Sequence, residues 1–178
     1  AVFNYCNFRN SNVGFACNLQ TPHKWDTGIY LNNCYFELNK TAIIAGILSS
    51  IHIDKCYFEA NSEYILEVLC PSAGFNPLVV FNNTYIHLSG SDLTSNKAVI
   101  KQNVHSDNIV SYDIRNNSIR NRSGWDTPPI IIDLDYFIYV ISGGVIIKAE
   151  NNKLCIRGAF PICSTTPSES SYFNNDFS

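Results

Sequence analysis

A six-residue segment recurs along the chain, and this repeat constrains the fold more than any other sequence feature. Five copies align without gaps and begin at Phe3, Leu31, Ile53, Phe81 and Phe173. Two looser copies begin at Arg115 and Glu150, so successive copies lie 22 to 35 residues apart. The second position of the copies carries Asn or Asp throughout, in Asn4, Asn32, Asp54, Asn82, Asn116, Asn151 and Asn174.

The pattern within each copy predicts a strand, a turn and a second strand. Apolar residues alternate on both sides of the Asn, and Asn tolerates the left-handed backbone that a tight turn needs. Asn side chains stacked in one column also bond one another along a ladder. A unit of about 22 residues with variable insertions is typical of a parallel β-helix, whereas leucine-rich repeats need a Leu frame that is missing and a jelly roll needs hairpin turns.

We therefore predict an all-β chain that folds as a right-handed, single-stranded parallel β-helix, a solenoid of about six to seven coils with Asn-ladder turns. The repeats run from residue 1 to residue 178, which indicates one β-helix segment. A solenoid normally carries polar capping units, and both ends of the sequence fall within coils. The chain is thus expected to be part of a longer β-helix.

Composition and charge exclude several classes of function. The chain has 12 basic and 15 acidic residues and a net charge of −3, which disfavours a nucleic-acid partner. Its longest apolar runs are too short to span a bilayer, so membrane insertion is not expected. The seven cysteines form no Cys-x-x-Cys pair and the four histidines lack zinc-ligand spacing, so we expect neither a metal site nor a cofactor.

Alternation within the second strand of each copy separates an inner from an outer face. If the Cys column and the Phe column point inward, the core contains Phe8, Phe36 and Phe58. The outer face then carries a tyrosine column beside a column of charged side chains. The members of these two outer columns are Asn7, Tyr35, Tyr57 and Tyr85, and Arg9, Glu37, Glu59 and His87.

The outer charged column holds the candidate catalytic residues. Glu37 and Glu59 are one coil apart, at about the 5–5.5 Å that separates the carboxyl groups of a retaining glycosidase. Tyr35 and Tyr57 beside them are candidate sugar platforms, and His87 is a further candidate substrate contact or base. The same face is also consistent with a solvated surface or with a contact between subunits.

Two insertions share the sequence Trp-Asp-Thr and hold both tryptophans of the chain. Trp25 lies in one, and Trp125 and Asp126 lie in the other. An aromatic ring next to a carboxylate, on a loop of a rigid scaffold, is typical of a carbohydrate contact. The alternative is that each Trp packs the insertion against the coil.

The Asn-Asn-Cys-Tyr-Phe type segments resemble the pectate-lyase-like right-handed β-helix superfamily. Low charge, abundant Asn and Ser and uneven insertions look most like the β-helix of bacteriophage tailspikes. This resemblance implies a homotrimer, on a phage tail or otherwise extracellular, that binds and in some members cleaves a bacterial surface polysaccharide. It also leaves open a non-catalytic structural or receptor-binding shaft, and a polysaccharide lyase in which Arg9 or His87 acts on a uronate.

Overall fold

The protein consists of β-strands joined by turns and loops, without helices in the described part of the chain. The structure, a computed structural model, describes residues 1–17, 28–46, 49–88, 98–121, 135–155 and 163–176. The strands are β1 (Val2–Asn4), β2 (Asn7–Arg9), β3 (Val13–Cys17), β4 (Ile29–Asn32), β5 (Tyr35–Glu37), β6 (Thr41–Gly46), β7 (Ser50–Asp54), β8 (Tyr57–Glu59), β9 (Tyr64–Cys70), β10 (Leu78–Asn82), β11 (Tyr85–Leu88), β12 (Ala98–Val104), β13 (Ile109–Arg115), β14 (Ser118–Asn121), β15 (Tyr136–Ser142), β16 (Gly144–Glu150), β17 (Lys153–Cys155) and β18 (Glu169–Phe173).

The strands form three parallel sheets, and nearly every strand pairs with the one three elements away in sequence. The first sheet has the order β1-β4-β7-β10-β13-β16-β18, and the second has the order β2-β5-β8-β11-β14-β17. The third has the order β3-β6-β9-β12-β15. Successive passes of the chain therefore stack on one another, which is compatible with a parallel β-helix.

The core lies between the three sheets and is built from alternate residues of each strand. Phe36 and Phe58 are fully buried in the second sheet, as predicted, and Ile86 and Ile119 continue their column. The rings of Phe36 and Phe58 stack 5.0 Å apart at 12°. Such aligned rings add about 0.5–1.5 kcal/mol per pair beyond the burial of their apolar area.

Strand pairing at the corner between the first and second sheets shows that the predicted alignment of the later copies of the repeat is wrong by one residue. Asn82 pairs with Arg115, Arg115 with Glu150, and Glu150 with Phe173. The Asn82 column is therefore not continued by Asn116, Asn151 or Asn174. They lie one position later, where every copy has a left-handed backbone with φ between 48° and 56°. Only Gly, Asn and Asp adopt this conformation readily, which explains why Asn is frequent there.

The next position of this corner holds a row of buried amides in the later copies. The Asn117 side chain donates to Asn152 Oδ1 at 2.9 Å, and the Asn152 side chain donates to Asn175 Oδ1 at 2.8 Å. The same Asn152 amide also donates to the Ile114 carbonyl at 2.9 Å. The first three copies have a cysteine at the equivalent position: Cys6, Cys34 and Cys56. The thiol of Cys34 lies 3.6 Å from the Phe3 carbonyl.

A second buried amide pair, which the sequence repeat did not reveal, lies at the corner between the second and third sheets. Asn39 donates to Asn61 Oδ1 at 3.1 Å, and each side chain also donates to a backbone carbonyl. The preceding residues, Leu38 and Ala60, again have positive φ values of 56° and 53°. Both corners are thus fixed by hydrogen bonds from one pass of the chain to the next.

In the described ranges, no helix has the length and apolar character needed to cross a membrane. The insertions that carry Trp25, Trp125 and Asp126 lie outside the described residues.

Candidate functional site

The candidate site is the outer face of the second sheet, where four adjacent strands present the two predicted columns. Asn7, Tyr35, Tyr57 and Tyr85 are paired in register across β2, β5, β8 and β11. The same pairing aligns Arg9, Glu37, Glu59 and His87. Since the buried Phe column lies between these positions in each strand, alternation directs both columns away from the core.

The three tyrosines form a continuous stack, which we call the tyrosine row (Tyr35, Tyr57 and Tyr85). Tyr35 and Tyr57 have ring centroids 4.9 Å apart and planes inclined by 5°. Tyr57 and Tyr85 are 5.3 Å apart at 8°. The distance between rings matches the spacing of about 4.8 Å between neighbouring strands, because one ring comes from each strand.

The charged side chains beside the tyrosine row are paired with one another. Arg9 forms a salt bridge with Glu37, and its guanidinium also lies over the Tyr35 ring at 5.3 Å from the centroid. His87 Nδ1 lies 3.8 Å from Glu59 Oε1. The side chains of Glu37 and Glu59 are 20% and 21% exposed, so neither is fully buried.

A hydrogen bond links the two columns across neighbouring strands. The Tyr35 hydroxyl donates to Glu59 Oε2 at 2.7 Å. Burial, followed by this hydrogen bond and the charge of Glu59, raises the pKa of Tyr35 to about 12. The phenol therefore stays protonated at neutral pH, and its hydroxyl remains the donor that holds the Glu59 carboxylate in place.

The site combines carboxylate, imidazole and phenol groups on adjacent strands. Two carboxylates on neighbouring strands, a histidine and a row of phenols lie on one outer face. Glu37 and Glu59 occupy paired positions on neighbouring strands, whose backbones lie about 4.8 Å apart. Within the described residues, no group of three or more His, Cys, Asp or Glu side chains is arranged to hold a metal ion.

The structure brings together five of the residues singled out in the sequence. Tyr35, Tyr57, Glu37, Glu59 and His87 lie on the same face, in adjacent strands. Their roles as sugar platforms, substrate contacts or catalytic groups stay predictions. The structure does not describe Trp25, Trp125 or Asp126, so their placement near this face stays a prediction too.

Sequence reasoning missed the direction in which the site side chains lean. Register places Tyr35 beside Tyr57, but the hydroxyl of Tyr35 reaches Glu59 on the following strand. Long side chains on a sheet also reach diagonal neighbours. The recurrence of Tyr-Phe-Glu in β5 and β8 was the available signal, because it puts a donor and an acceptor one strand apart.

Comparison with known proteins found no matching family model, no matching curated protein and no matching solved structure. The function is therefore inferred from the chemistry of this face.

Proposed function

We propose that this chain is a segment of a right-handed, single-stranded parallel β-helix of about six to seven coils with Asn-ladder turns. In this proposal it is a tailspike-like protein that binds a bacterial cell-surface polysaccharide on the outer face of the second sheet. The observation that supports it is the tyrosine row beside two partly exposed carboxylates on neighbouring strands. Aromatic and carboxylate groups on a rigid face suit a hydroxyl-rich polymer.

Glu37 and Glu59 are the residues we propose for hydrolysis of that polysaccharide. Glu59 accepts a hydrogen bond from Tyr35 and faces His87, contacts that hold its carboxylate in place, so we assign it the role of nucleophile or base. Glu37 is then the residue left for the acid role, which requires its proton to be present when the leaving group departs. Arg9 is salt-bridged to Glu37, so in this proposal Arg9 releases the Glu37 carboxyl group when substrate binds.

The test is incubation of the protein with a panel of bacterial surface polysaccharides. New reducing ends without the absorbance of unsaturated uronates indicate a hydrolase, and that activity should fall at least 100-fold in both Glu37→Gln and Glu59→Gln. Glu150→Gln is the matched control, because Glu150 is also half-buried and salt-bridged but lies on the first sheet. Absorbance from unsaturated uronates would instead identify the activity as that of a polysaccharide lyase.

A non-catalytic shaft is the second candidate, and the pairing of both carboxylates within the chain favours it. Glu37 and Glu59 already contact Arg9 and His87 within the chain, so burial against another subunit would leave neither carboxylate without a partner. In that case the tyrosine row is the contact surface of a homotrimer. Sedimentation would then show a trimer for the native chain and dissociation of that trimer in Tyr57→Arg. If the intact trimer bound polysaccharide on this face, the tyrosine row could not be the contact between subunits.

A further inference from the structure

Three cysteines occupy the same corner position in the first three passes of the chain, and we call them the cysteine column (Cys6, Cys34 and Cys56). Asn4 and Asn32 pair in register just before this corner. Just after it, the Tyr35 amide donates to the Cys6 carbonyl at 2.9 Å. The same register relates the second pass to the third, so successive cysteines are separated by about the 4.8 Å between neighbouring strands.

The thiols of the column lie close enough to interact with one another. The side chain of Cys34 interacts with that of Cys6 on one side and with that of Cys56 on the other. Cys34 also donates to the Phe3 and Asn32 carbonyls at 3.6 and 3.4 Å. A thiol is a weak donor, so these bonds oppose a rearrangement of the sulfur atoms only weakly. A disulfide joins Cα atoms about 4.4–6.8 Å apart, a condition that neighbouring members of the column meet without a change of register.

Exposure distinguishes the three thiols. Cys6 is half-buried, whereas Cys34 and Cys56 are 1% and 2% exposed. Burial raises the pKa of Cys34 and raises the pKa of Cys56 to about 12, which keeps both thiols protonated at neutral pH. Cys6 is therefore the member of the column that an oxidant in solution reaches first.

The position in the stack distinguishes the two pairs that the column could form. The Cβ atoms of a disulfide lie about 3.8 Å apart, so a bond within the column needs a local approach of about 1 Å. In the described chain β1 and β2 have a neighbouring strand on one side only, which leaves the corner that carries Cys6 room for this shift. The corner of Cys56 is hydrogen-bonded to the passes on both sides. Both exposure and position favour the Cys6–Cys34 pair.

We propose that Cys6 and Cys34 form a thiol–disulfide exchange site whose substrate is a low-molecular-weight disulfide such as oxidised glutathione. The Cys6 sulfur attacks the glutathione disulfide, and one glutathione leaves as its thiol. The Cys34 sulfur then attacks the bond between Cys6 and the second glutathione, which also leaves as its thiol. Two cysteine thiols are thus oxidised to one disulfide, and the two glutathione thiols take up the two electrons and two protons. The product joins the first pass of the chain to the second.

The test is incubation of the folded 178-residue chain with oxidised glutathione, followed by acid quenching, alkylation and disulfide mapping by peptide mass spectrometry. We expect linked peptides that carry Cys6 and Cys34, and a Cys56 that is alkylated only after unfolding. Cys17 is the internal control, because it is also half-buried and on the first pass but pairs with Ala45. It can take up glutathione without forming a link to the second pass.

Three variants test the order of the steps. Cys56→Ser should keep the link, Cys34→Ser should stop with glutathione on Cys6, and Cys6→Ser should leave Cys34 reduced. In the linked native chain, amide exchange of β1 should slow at least about tenfold, since the first pass no longer opens by itself. The proposal is overturned by a link between Cys34 and Cys56, by a link between two chains through Cys6, or by the absence of reaction at Cys6. Glutathione that stays on Cys6 of the native chain beside a reduced Cys34 overturns it as well.

Discussion

At the scale of single residues, Tyr35 connects the two columns of the site. Its ring takes part in the stack, and its hydroxyl holds the carboxylate of Glu59. One side chain therefore contributes a ring to the tyrosine row and a hydrogen bond that positions the candidate nucleophile. Replacing it by Phe separates these roles, because the ring is kept and the hydrogen bond is lost.

We expect Tyr35→Phe to reduce the loss of stability in alkaline solution. Burial and the contact with Glu59 raise the pKa of Tyr35 from 10.0 to about 12 in the folded protein. A raised pKa contributes stability that is fully present below pH 10 and is lost as the pH rises through about 12. Urea unfolding between these pH values should show a shallower decline for Tyr35→Phe than for the native chain.

The control for this comparison is Tyr5→Phe, which removes an exposed phenol outside the row. Cys56, whose pKa is raised to about 12 by burial, contributes to the alkaline loss in all three proteins and cancels. Equal pH dependence of the native chain and Tyr35→Phe would show that the folded protein does not raise the pKa of Tyr35, which would contradict both its burial and its contact with Glu59.

The residue scale is also where prediction from sequence is least exact. The pattern of the repeat identified the corner, the inward Phe column and the outward Tyr and Glu columns. It did not fix which Asn of an Asn-Asn pair lies in which column. Asn116 and Asn117 are both suited to the corner, one for its left-handed backbone and the other for its buried amide. Only the register of the flanking strands, Asn82 with Arg115, separates the two.

At the scale of elements, the corner between β16 and β17 shows what the buried amides contribute. Asn152 accepts bonds from the backbone and side chain of Asn117 and donates to Ile114 and Asn175. Its side chain thus ties three successive passes of the chain together. Its neighbour Asn151 is exposed and has a φ of 54°.

We expect Asn152→Leu to lower the free energy of unfolding by about 3–5 kcal/mol, since it leaves several buried polar groups without partners. Asn151→Gly is the matched control, because Gly adopts the same left-handed backbone, and it should change stability by less than about 1 kcal/mol. Urea denaturation of both variants checks this. A larger effect at Asn151 than at Asn152 would mean that backbone conformation, and not the buried amide, holds the corner.

Strand pairing was predictable to the extent that each copy of the repeat is a strand-turn-strand unit. The third sheet was not, because β6, β9 and β12 lie outside the repeated segment. Their sequences share apolar runs without a common marker residue. The amide pair of Asn39 and Asn61 was also missed, since only two copies carry it.

At the scale of the whole molecule, the stacked sheets give stability that varies along the stack. Strands in the middle have a neighbour on both sides, whereas β1 and β18 have one. Every residue of β18 is exposed, but β8 and β9 contribute fully buried side chains. Stability in such an array is a sum of terms between neighbours.

When the 178-residue chain is measured by itself, we expect amide hydrogen exchange to be slowest in β7, β8 and β9 and fastest in β1 and β18. The measurement is exchange under native conditions, followed by peptide mass spectrometry. The gradient should steepen in mild urea, as the outer passes open before the inner ones. Uniform protection along all strands would contradict this and would show that the stack opens as one cooperative unit.

The left-handed corners have a consequence for the surface as a whole. Copies of the repeat are 22 to 35 residues apart, yet the paired strands of the second sheet keep one register and the three rings keep one spacing. Extra residues between copies therefore do not change the pairing of these strands. The spacing of the tyrosine rings is set by the spacing of the backbone strands. If the row binds a polymer as proposed, a polymer whose repeat length differs from the strand spacing would align with fewer of the three tyrosines. The strand spacing would then contribute to the choice of ligand.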